Sequence, residues 1–174
     1  MNYFEFFDLP VAFIIDEALL KQRFYANSKK YHPDFYTLES AEKQAAILEL
    51  STLNNQAYRT LADFDKRMEY ILNLKGVLAE EGKNEIPQDF LLEMMDINEG
   101  LMELEFDFDE TKHQEVLQAV ENQERAIYAA AANVIEQYDD KKIATQELSV
   151  VKEYFLKKKY LLRIRENVSK FATQ

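Results

Sequence analysis

The sequence contains no cysteine among its 174 residues. This absence excludes disulfide bonds, thiolate zinc sites, cysteine-ligated iron–sulfur clusters and thiol nucleophiles. Glycine and proline are scarce, with three of each, so the tight turns of a hairpin-rich β fold have few places to form. We therefore expect an all-α fold.

Long apolar runs are missing as well. No segment approaches the ~18 uninterrupted apolar residues that a transmembrane helix needs, and the first residues lack the basic and apolar regions of a secretory signal. We therefore expect a cytoplasmic protein without a membrane partner. Apolar residues still make up 47 % of the chain, including 12 Phe and 10 Tyr, which is enough to form a core.

Basic residues are outnumbered by acidic ones, 21 to 32, which gives a net charge of −11. This balance argues against nucleic acid as a partner, because phosphate contacts need a basic surface. The acidic excess is local. Residues 77–110, here called the acidic window, hold twelve carboxylates and one base, Lys83, so the window alone accounts for the net charge of the chain.

The spacing of apolar residues divides the chain into two helical parts. After a short aromatic helix or turn at 3–9, the first part is predicted to contain helices over about 16–31, 40–61 and 64–74. The second part is predicted to be an antiparallel three-helix bundle, with helices over about 87–104, 111–138 and 146–171. We expect domains at 1–76 and 87–174, joined by a linker at 77–86.

The helix predicted over 16–31 ends at a rigid loop. Pro33 cannot continue a helix and biases His32 toward an extended conformation, so the tripeptide His32-Pro33-Asp34 should be exposed. The residues before it include four bases and no acid from Ala18 onward: Lys21, Arg23, Lys29 and Lys30. A basic face beside such a loop favours docking on an acidic partner, and an ordinary solvated face is the alternative interpretation.

This tripeptide, placed after a basic helix, resembles the signature of J-domain proteins, which are co-chaperones that stimulate ATP hydrolysis by Hsp70. The opening residues from Asn2 to Phe7 and the segment from Leu53 to Asp63 are also similar to that family. The resemblance covers about residues 2–75. It implies a J domain, that is, a helical hairpin plus short flanking helices.

The same resemblance implies that the tripeptide and the four bases engage an Hsp70 of the HscA or DnaK type. One residue departs from the family pattern. Many J domains have Lys after the tripeptide, whereas this sequence has Phe35. The resemblance therefore implies that more of the Hsp70 contact falls on the basic helix.

The helix predicted over 87–104 has two apolar faces. Its core-facing residues lie within about 80° of one another: Phe90, Met94, Ile97, Leu101 and Leu104. A second group lies off this seam, beside carboxylates: Leu91, Leu92, Met95 and Met102, with Asp96, Glu99 and Glu103. Apolar side chains framed by carboxylates are typical of a helix-mediated protein interface, and a helix buried on two sides is the alternative.

The segment from Pro87 to Glu99 and the layout of a J domain followed by three helices resemble the HscB branch of the J-domain proteins, which acts in iron–sulfur cluster assembly. The resemblance implies a non-enzymatic co-chaperone that holds no metal or cofactor and delivers an IscU-like scaffold protein to the Hsp70 for cluster transfer. The residues that it implies for scaffold binding are Leu91, Leu92, Met95, Asp96, Glu99, Glu103 and Phe155. Gly100 is a departure that should loosen this helix.

Two other functions are weighed against this one. A general J-domain co-chaperone would use the same tripeptide for a different client. A di-metal carboxylate enzyme is suggested by Glu110 and His113, whose Glu-x-x-His spacing such bundles use twice. The sequence has no second copy, since His32 is the only other histidine. We therefore expect His113 to lie in a solvated helix start.

Overall fold

The computed structural model describes residues 1–80, 82–142 and 145–173, and all regular structure in these ranges is helical. This confirms the all-α prediction. Two positions of the predicted domain layout lie outside the described residues: Glu81 of the predicted linker and Gln174 at the predicted end of the second domain. Within the described ranges, no helix is long and apolar enough to cross a membrane.

The chain divides into two compact units. Unit 1 comprises Met1–Leu74 together with Tyr138 and the four residues that follow it, and unit 2 includes Lys75–Gln137 and the last helix. The apolar spacing of the sequence predicts Tyr138 on the core seam of the second part. It is instead grouped with unit 1, where its ring packs edge-on against Phe13 with the centroids 4.9 Å apart.

Unit 1 is built on an antiparallel helical hairpin. Its helices are α1 (Tyr3–Phe6), α2 (Glu17–Lys30), α3 (Ala41–Leu61) and α4 (Phe64–Leu74). Asp16 caps α2 as predicted, because its side chain accepts a hydrogen bond from the Leu19 backbone N–H at 2.9 Å. Phe24 of α2 stacks on Tyr58 of α3, with ring centroids 4.1 Å apart.

A buried asparagine locks this hairpin together. Asn54 Nδ2 donates to Ser28 Oγ at 2.9 Å and to the Phe24 carbonyl at 3.2 Å. The apolar spacing of the sequence favours Leu50 and Leu53 as core residues of α3, but these are only half-buried, while Asn54 is fully buried. A polar core residue is tolerated here because its amide satisfies acceptors on the facing helix.

Unit 2 is a three-helix bundle, as predicted. Its helices are α5 (Gln88–Glu93), α6 (Met95–Phe106), α7 (Glu110–Gln137) and α8 (Thr145–Ser169). The single helix expected over 87–104 is thus divided in two at Met94, although the backbone of Met94 remains in the right-handed helical region. The interruption leaves Phe90, Met94 and Ile97 buried in the core.

The helices of the bundle run antiparallel. Glu103 of α6 pairs with Lys112 of α7, at 3.1 Å between Oε2 and Nζ. Arg165 of α8 holds Glu124 of α7 with two hydrogen bonds, at 2.9 Å from Nε and 2.6 Å from Nη2. This bidentate ion pair raises the pKa of Arg165, with the hydrogen bond to Glu124 as the main cause.

The residues that α7 buries differ slightly from the prediction. The apolar spacing of the sequence predicts Leu117 and Val134 on the core seam, but these are half-buried, whereas Val116 and Ile135 are buried. Each correction is a shift of one residue along the helix. It arises because α7 packs against both α6 and α8, so its buried face is broader than a single line of residues.

Gly100 was expected to loosen α6, and the structure shows a different role. Gly100 is buried where α6 crosses α7, and a Cβ atom built there would lie 2.7 Å from Cγ2 of Val116. Such a distance is too short for two carbon atoms. The missing side chain therefore allows the two helices to approach closely.

Candidate functional site

The tripeptide His32-Pro33-Asp34 lies at the C-terminal end of α2 and is exposed, as predicted. Tyr31 caps α2, and a 3₁₀ turn follows at Pro33–Tyr36. His32 precedes this turn, and its Nδ1 accepts a hydrogen bond from the Asp34 backbone N–H at 3.3 Å. With Nδ1 as an acceptor, the proton of the neutral ring resides on Nε2.

Side chains on both sides anchor the turn that carries the tripeptide. The Tyr36 hydroxyl donates to the Lys30 carbonyl at 2.8 Å, which ties the turn to the end of α2. Gln44 Nε2 donates to the Thr37 carbonyl at 3.2 Å and to the Glu39 carbonyl at 2.9 Å, which ties the following residues to α3. Sequence patterns gave no signal for these contacts, because each spans five to seven residues without periodicity.

Phe35, the departure from the J-domain pattern, is 68 % exposed. Its ring lies 5.6 Å from the ring of His32, measured between centroids. A shallow groove of about 290 Å³ runs between the turn and α3, with Pro33, Tyr36 and Leu48 among its lining residues. The flank of the tripeptide is therefore apolar.

The basic face of α2 consists of three exposed lysines, Lys21, Lys29 and Lys30. Arg23 was predicted to belong to the same docking face, but its guanidinium group is used within unit 1. Arg23 Nη1 hydrogen-bonds to the carbonyls of Phe7 and Asp8 and lies 3.3 Å from the Asp8 carboxylate. Arg23 therefore holds the loop after α1 against α2.

The second predicted site lies on α5 and α6. Leu92 and Met95 are 60 % and 61 % exposed, and Leu91 is exposed as well. The core-facing residues of the same segment are buried, as predicted: Phe90, Met94, Ile97, Leu101 and Leu104. The alternative of a helix buried on two sides is therefore wrong.

Carboxylates border the exposed apolar side chains. Asp96, Glu99 and Glu103 are all exposed on α6. Lys112 reaches this edge from α7 and pairs with Glu103. The pKa of Lys112 is raised, first by the hydrogen bond to Glu103 and then by its charge, and the charge of Glu99 adds to the effect. With these three carboxylates and one base, Lys112, the edge has a net negative charge.

Phe155 differs from the other residues predicted for scaffold binding. Its side chain is only 5 % exposed, and Lys159 Nζ lies 5.2 Å from its ring centroid. Sequence periodicity does not reveal this burial, because α8 has apolar residues on more than one side. Any contribution of Phe155 to binding remains a prediction, and the structure shows it as part of the core of unit 2.

Glu110 and His113, the Glu-x-x-His pair, have different surroundings. His113 is buried, not solvated as expected, and its Nε2 lies 3.1 Å from the Val168 carbonyl of α8. Glu110 is exposed and accepts a hydrogen bond from Gln114. Among the side chains that the structure describes, no group of three or more His, Cys, Asp or Glu residues is arranged to hold a metal ion.

Both units have counterparts in known proteins. A family described as the HSCB C-terminal oligomerisation domain matches residues 86–169. Chaperone HscB from Vibrio cholerae has the same fold, with a TM-score of 0.70 and 27 % identity over 100 % of this chain and 99 % of that one. The chain is thus similar to an HscB chaperone over its whole length. Human co-chaperone HscB gives a TM-score of 0.74 and 28 % identity, covering 97 % of this chain and 81 % of that one.

Sequence similarity to curated HscB proteins is higher but less extensive. The chain is 39 % identical over 103 residues to the co-chaperone protein HscB homolog of Vibrio cholerae serotype O1 (strain M66-2). It is 41 % identical over 105 residues to co-chaperone protein HscB of Buchnera aphidicola subsp. Acyrthosiphon pisum (strain Tuc7). These matches cover 58 % of this chain and span about 60 % of the length of the HscB relatives.

Proposed function

We propose that this protein is a non-enzymatic co-chaperone of iron–sulfur cluster assembly that brings a cluster scaffold protein to an Hsp70. One observation carries the proposal: a chain similar to HscB chaperones has two exposed surfaces of opposite charge, on separate units. The Hsp70 surface is the tripeptide with Lys21, Lys29 and Lys30. The scaffold-binding face is Leu91, Leu92, Met95, Asp96, Glu99 and Glu103.

The Hsp70 surface suits an acidic partner of the HscA or DnaK type. Three exposed lysines attract such a partner and orient it, since charge complementarity mainly raises the association rate. His32 and Asp34 then present polar groups on a turn that Tyr36 and Gln44 hold in place. A preorganised turn loses little conformational entropy on binding, which leaves more of the contact energy for stimulating ATP hydrolysis.

The scaffold-binding face suits an IscU-like protein that offers an apolar patch bordered by bases. Leu92 and Met95 lie outside the core, so burying them against a partner adds hydrophobic stabilisation without disturbing unit 2. Methionine adapts its shape to a partner surface, and the carboxylates fix the orientation. In this proposal the cluster is cargo of the scaffold, and the co-chaperone acts in the cytoplasm with no cofactor of its own.

A general J-domain co-chaperone with another client is the second candidate. It shares the Hsp70 surface, so only the identity of the protein bound to α5 and α6 distinguishes the two. The apolar side chains with carboxylates along one edge favour a basic-rimmed scaffold. A pull-down from native lysate, probed for an Hsp70 and for an IscU-type protein, tests which client is present.

The Hsp70 surface is tested with His32→Gln. This change keeps a polar side chain but removes the imidazole, so we expect stimulation of Hsp70 ATP hydrolysis to fall to the basal rate. Single-turnover ATP hydrolysis measures the effect, and calorimetric titration with apo IscU-type scaffold serves as the control. Loss of scaffold binding in the same variant would contradict two separate sites.

The scaffold-binding face is tested with the double variant Leu92→Ala, Met95→Ala. Both side chains are exposed, so the fold should persist while scaffold affinity falls by roughly tenfold to a hundredfold. Calorimetric titration measures the affinity, and unchanged ATPase stimulation in the absence of scaffold shows that unit 1 is intact. An unaltered scaffold affinity would refute the assignment of this face.

A further inference from the structure

An exposed apolar stripe runs the full length of α6. Met95, Met102 and Phe106 are its members, and at 100° per residue they fall within about 40° of one another. Met102 is 70 % exposed and Phe106, the last residue of α6, is 95 % exposed. Only Met95 belongs to the scaffold-binding face described above, so the stripe extends that face by two further side chains.

The fold of unit 2 does not use this stripe. The buried residues Ile97, Leu101 and Leu104 lie on the other side of α6, about 100° or more away from Met102 and Phe106. From Met95 to Phe106 the stripe spans about 16 Å, given a rise of 1.5 Å per residue. An exposed apolar surface of this length on a folded unit marks a protein contact.

The charges beside the stripe define what kind of partner fits it. Asp96, Glu99 and Glu103 follow one edge of the stripe. Glu105 lies beside the other edge, so the acidic groups of α6 are concentrated on one side, three to one. Lys112 covers part of Glu103. The complementary surface is therefore an apolar strip with lysines or arginines along one border.

A second copy of this chain does not have that chemistry. In a symmetric dimer the same patch occurs on both subunits. Antiparallel pairing of the stripe with itself brings the acidic edge of one α6 against that of the other, and parallel pairing brings it against the edge that carries Glu105. Juxtaposed like charges cost several kcal/mol at an interface. The charge pattern thus selects a basic-rimmed partner over self-association.

We propose that the scaffold protein contacts α6 along its whole length, with Phe106 as a second apolar anchor beyond Leu92 and Met95. The inference rests on the proposed function, because it extends the same face. It adds a requirement on the partner: its apolar strip must reach about 16 Å from the Met95 contact, with its basic border on the Glu103 side. Met102 and Phe106 thereby determine which scaffolds are accepted.

The test is a calorimetric titration of apo IscU-type scaffold into full-length variants Phe106→Ala and Met102→Ala. We expect Phe106→Ala to weaken affinity about tenfold, as an aromatic interface anchor does, and Met102→Ala less. Phe106→Leu keeps an apolar side chain and should retain most of the affinity. Leu38→Ala removes a fully exposed apolar side chain from unit 1 and is the matched control, expected to bind as the wild type does.

The reference variant Leu92→Ala, Met95→Ala separates the possible failures. If it weakens binding while Phe106→Ala does not, the extension to the end of α6 is wrong and the proposed function stands. If neither weakens binding, both are wrong. Sedimentation of each variant tests whether a second copy of this chain covers the stripe in place of the scaffold. If the wild type is a dimer that Phe106→Ala dissociates, and scaffold affinity is unchanged, self-association replaces the inference.

Discussion

At the scale of single residues, Arg67 joins three parts of unit 1 through one guanidinium group. Its Nε donates to the Phe13 carbonyl at 2.9 Å, its Nη1 donates to the Leu61 carbonyl, and the group lies 5.6 Å from the centroid of the Phe64 ring. Burial lowers the pKa of Arg67, while the more distant charges of Glu17 and Asp63 raise it. The residue therefore fixes α4 against the end of α3 and the loop before α2.

We expect Arg67→Met to destabilise the protein by about 2 to 4 kcal/mol, because two buried carbonyls lose a charged donor that methionine cannot replace. Urea unfolding followed by circular dichroism measures the change. Arg59→Met is the matched control, since Arg59 is exposed on α3 and its loss should cost less than about 0.5 kcal/mol. Equal stability of the two variants would show that the buried contacts contribute nothing.

At the scale of elements, the contact between α6 and α7 depends on a missing side chain. Helix propensity alone predicts that replacing Gly100 by alanine stabilises α6 by about 1 kcal/mol. The position of Val116 opposes this, because its branched side chain has little rotational freedom within a helix and its Cγ2 lies where the new methyl group would be. Packing and propensity therefore act in opposite directions at this position.

We expect packing to prevail, so that Gly100→Ala destabilises unit 2 by about 1 to 3 kcal/mol, as overpacked cores do. Thermal and urea unfolding measure the loss. The double variant Gly100→Ala, Val116→Ala should be less unstable than the sum of the two single variants, because removing Cγ2 makes room for the methyl group. If the two destabilisations simply add, α6 and α7 move apart without a cost in free energy.

At the scale of the whole molecule, the net charge of −11 conceals two surfaces of opposite sign. The lysines of α2 belong to unit 1, and the acidic window lies in unit 2. A protein with two such surfaces can attract an acidic and a basic partner separately. Neither attraction would be apparent from the total charge.

Raising the salt concentration from about 50 to about 300 mM shortens the screening length from roughly 14 to 6 Å, so both partners should associate several-fold more slowly. Stopped-flow kinetics measures the two association rates. The double variant Lys29→Gln, Lys30→Gln should flatten the salt dependence for the Hsp70 and leave that for the scaffold unchanged. If this variant weakened the salt dependence of association for both partners equally, the two electrostatic surfaces would not be separate.

The order of the residues is enough to predict the helical fold class, the exposed tripeptide and the two faces of α5 and α6. These features follow from local rules: Pro33 ends a helix, and the spacing of Phe90, Met94 and Ile97 assigns them to one side. The same periodicity left Leu92 and Met95 on the outside, where the structure has them. Such features need only the residue order and the geometry of one helix.

The tertiary structure alone decided how individual side chains are used. Arg23 has the same charge as its neighbouring lysines, but the proximity of Asp8 turns it inward. His113 and Phe155 are buried because other helices cover them, and Gly100 is needed because Val116 approaches it. Contacts between residues far apart in the chain leave no periodic signal, so the physical reason lies in packing between helices and not in the pattern of any one of them.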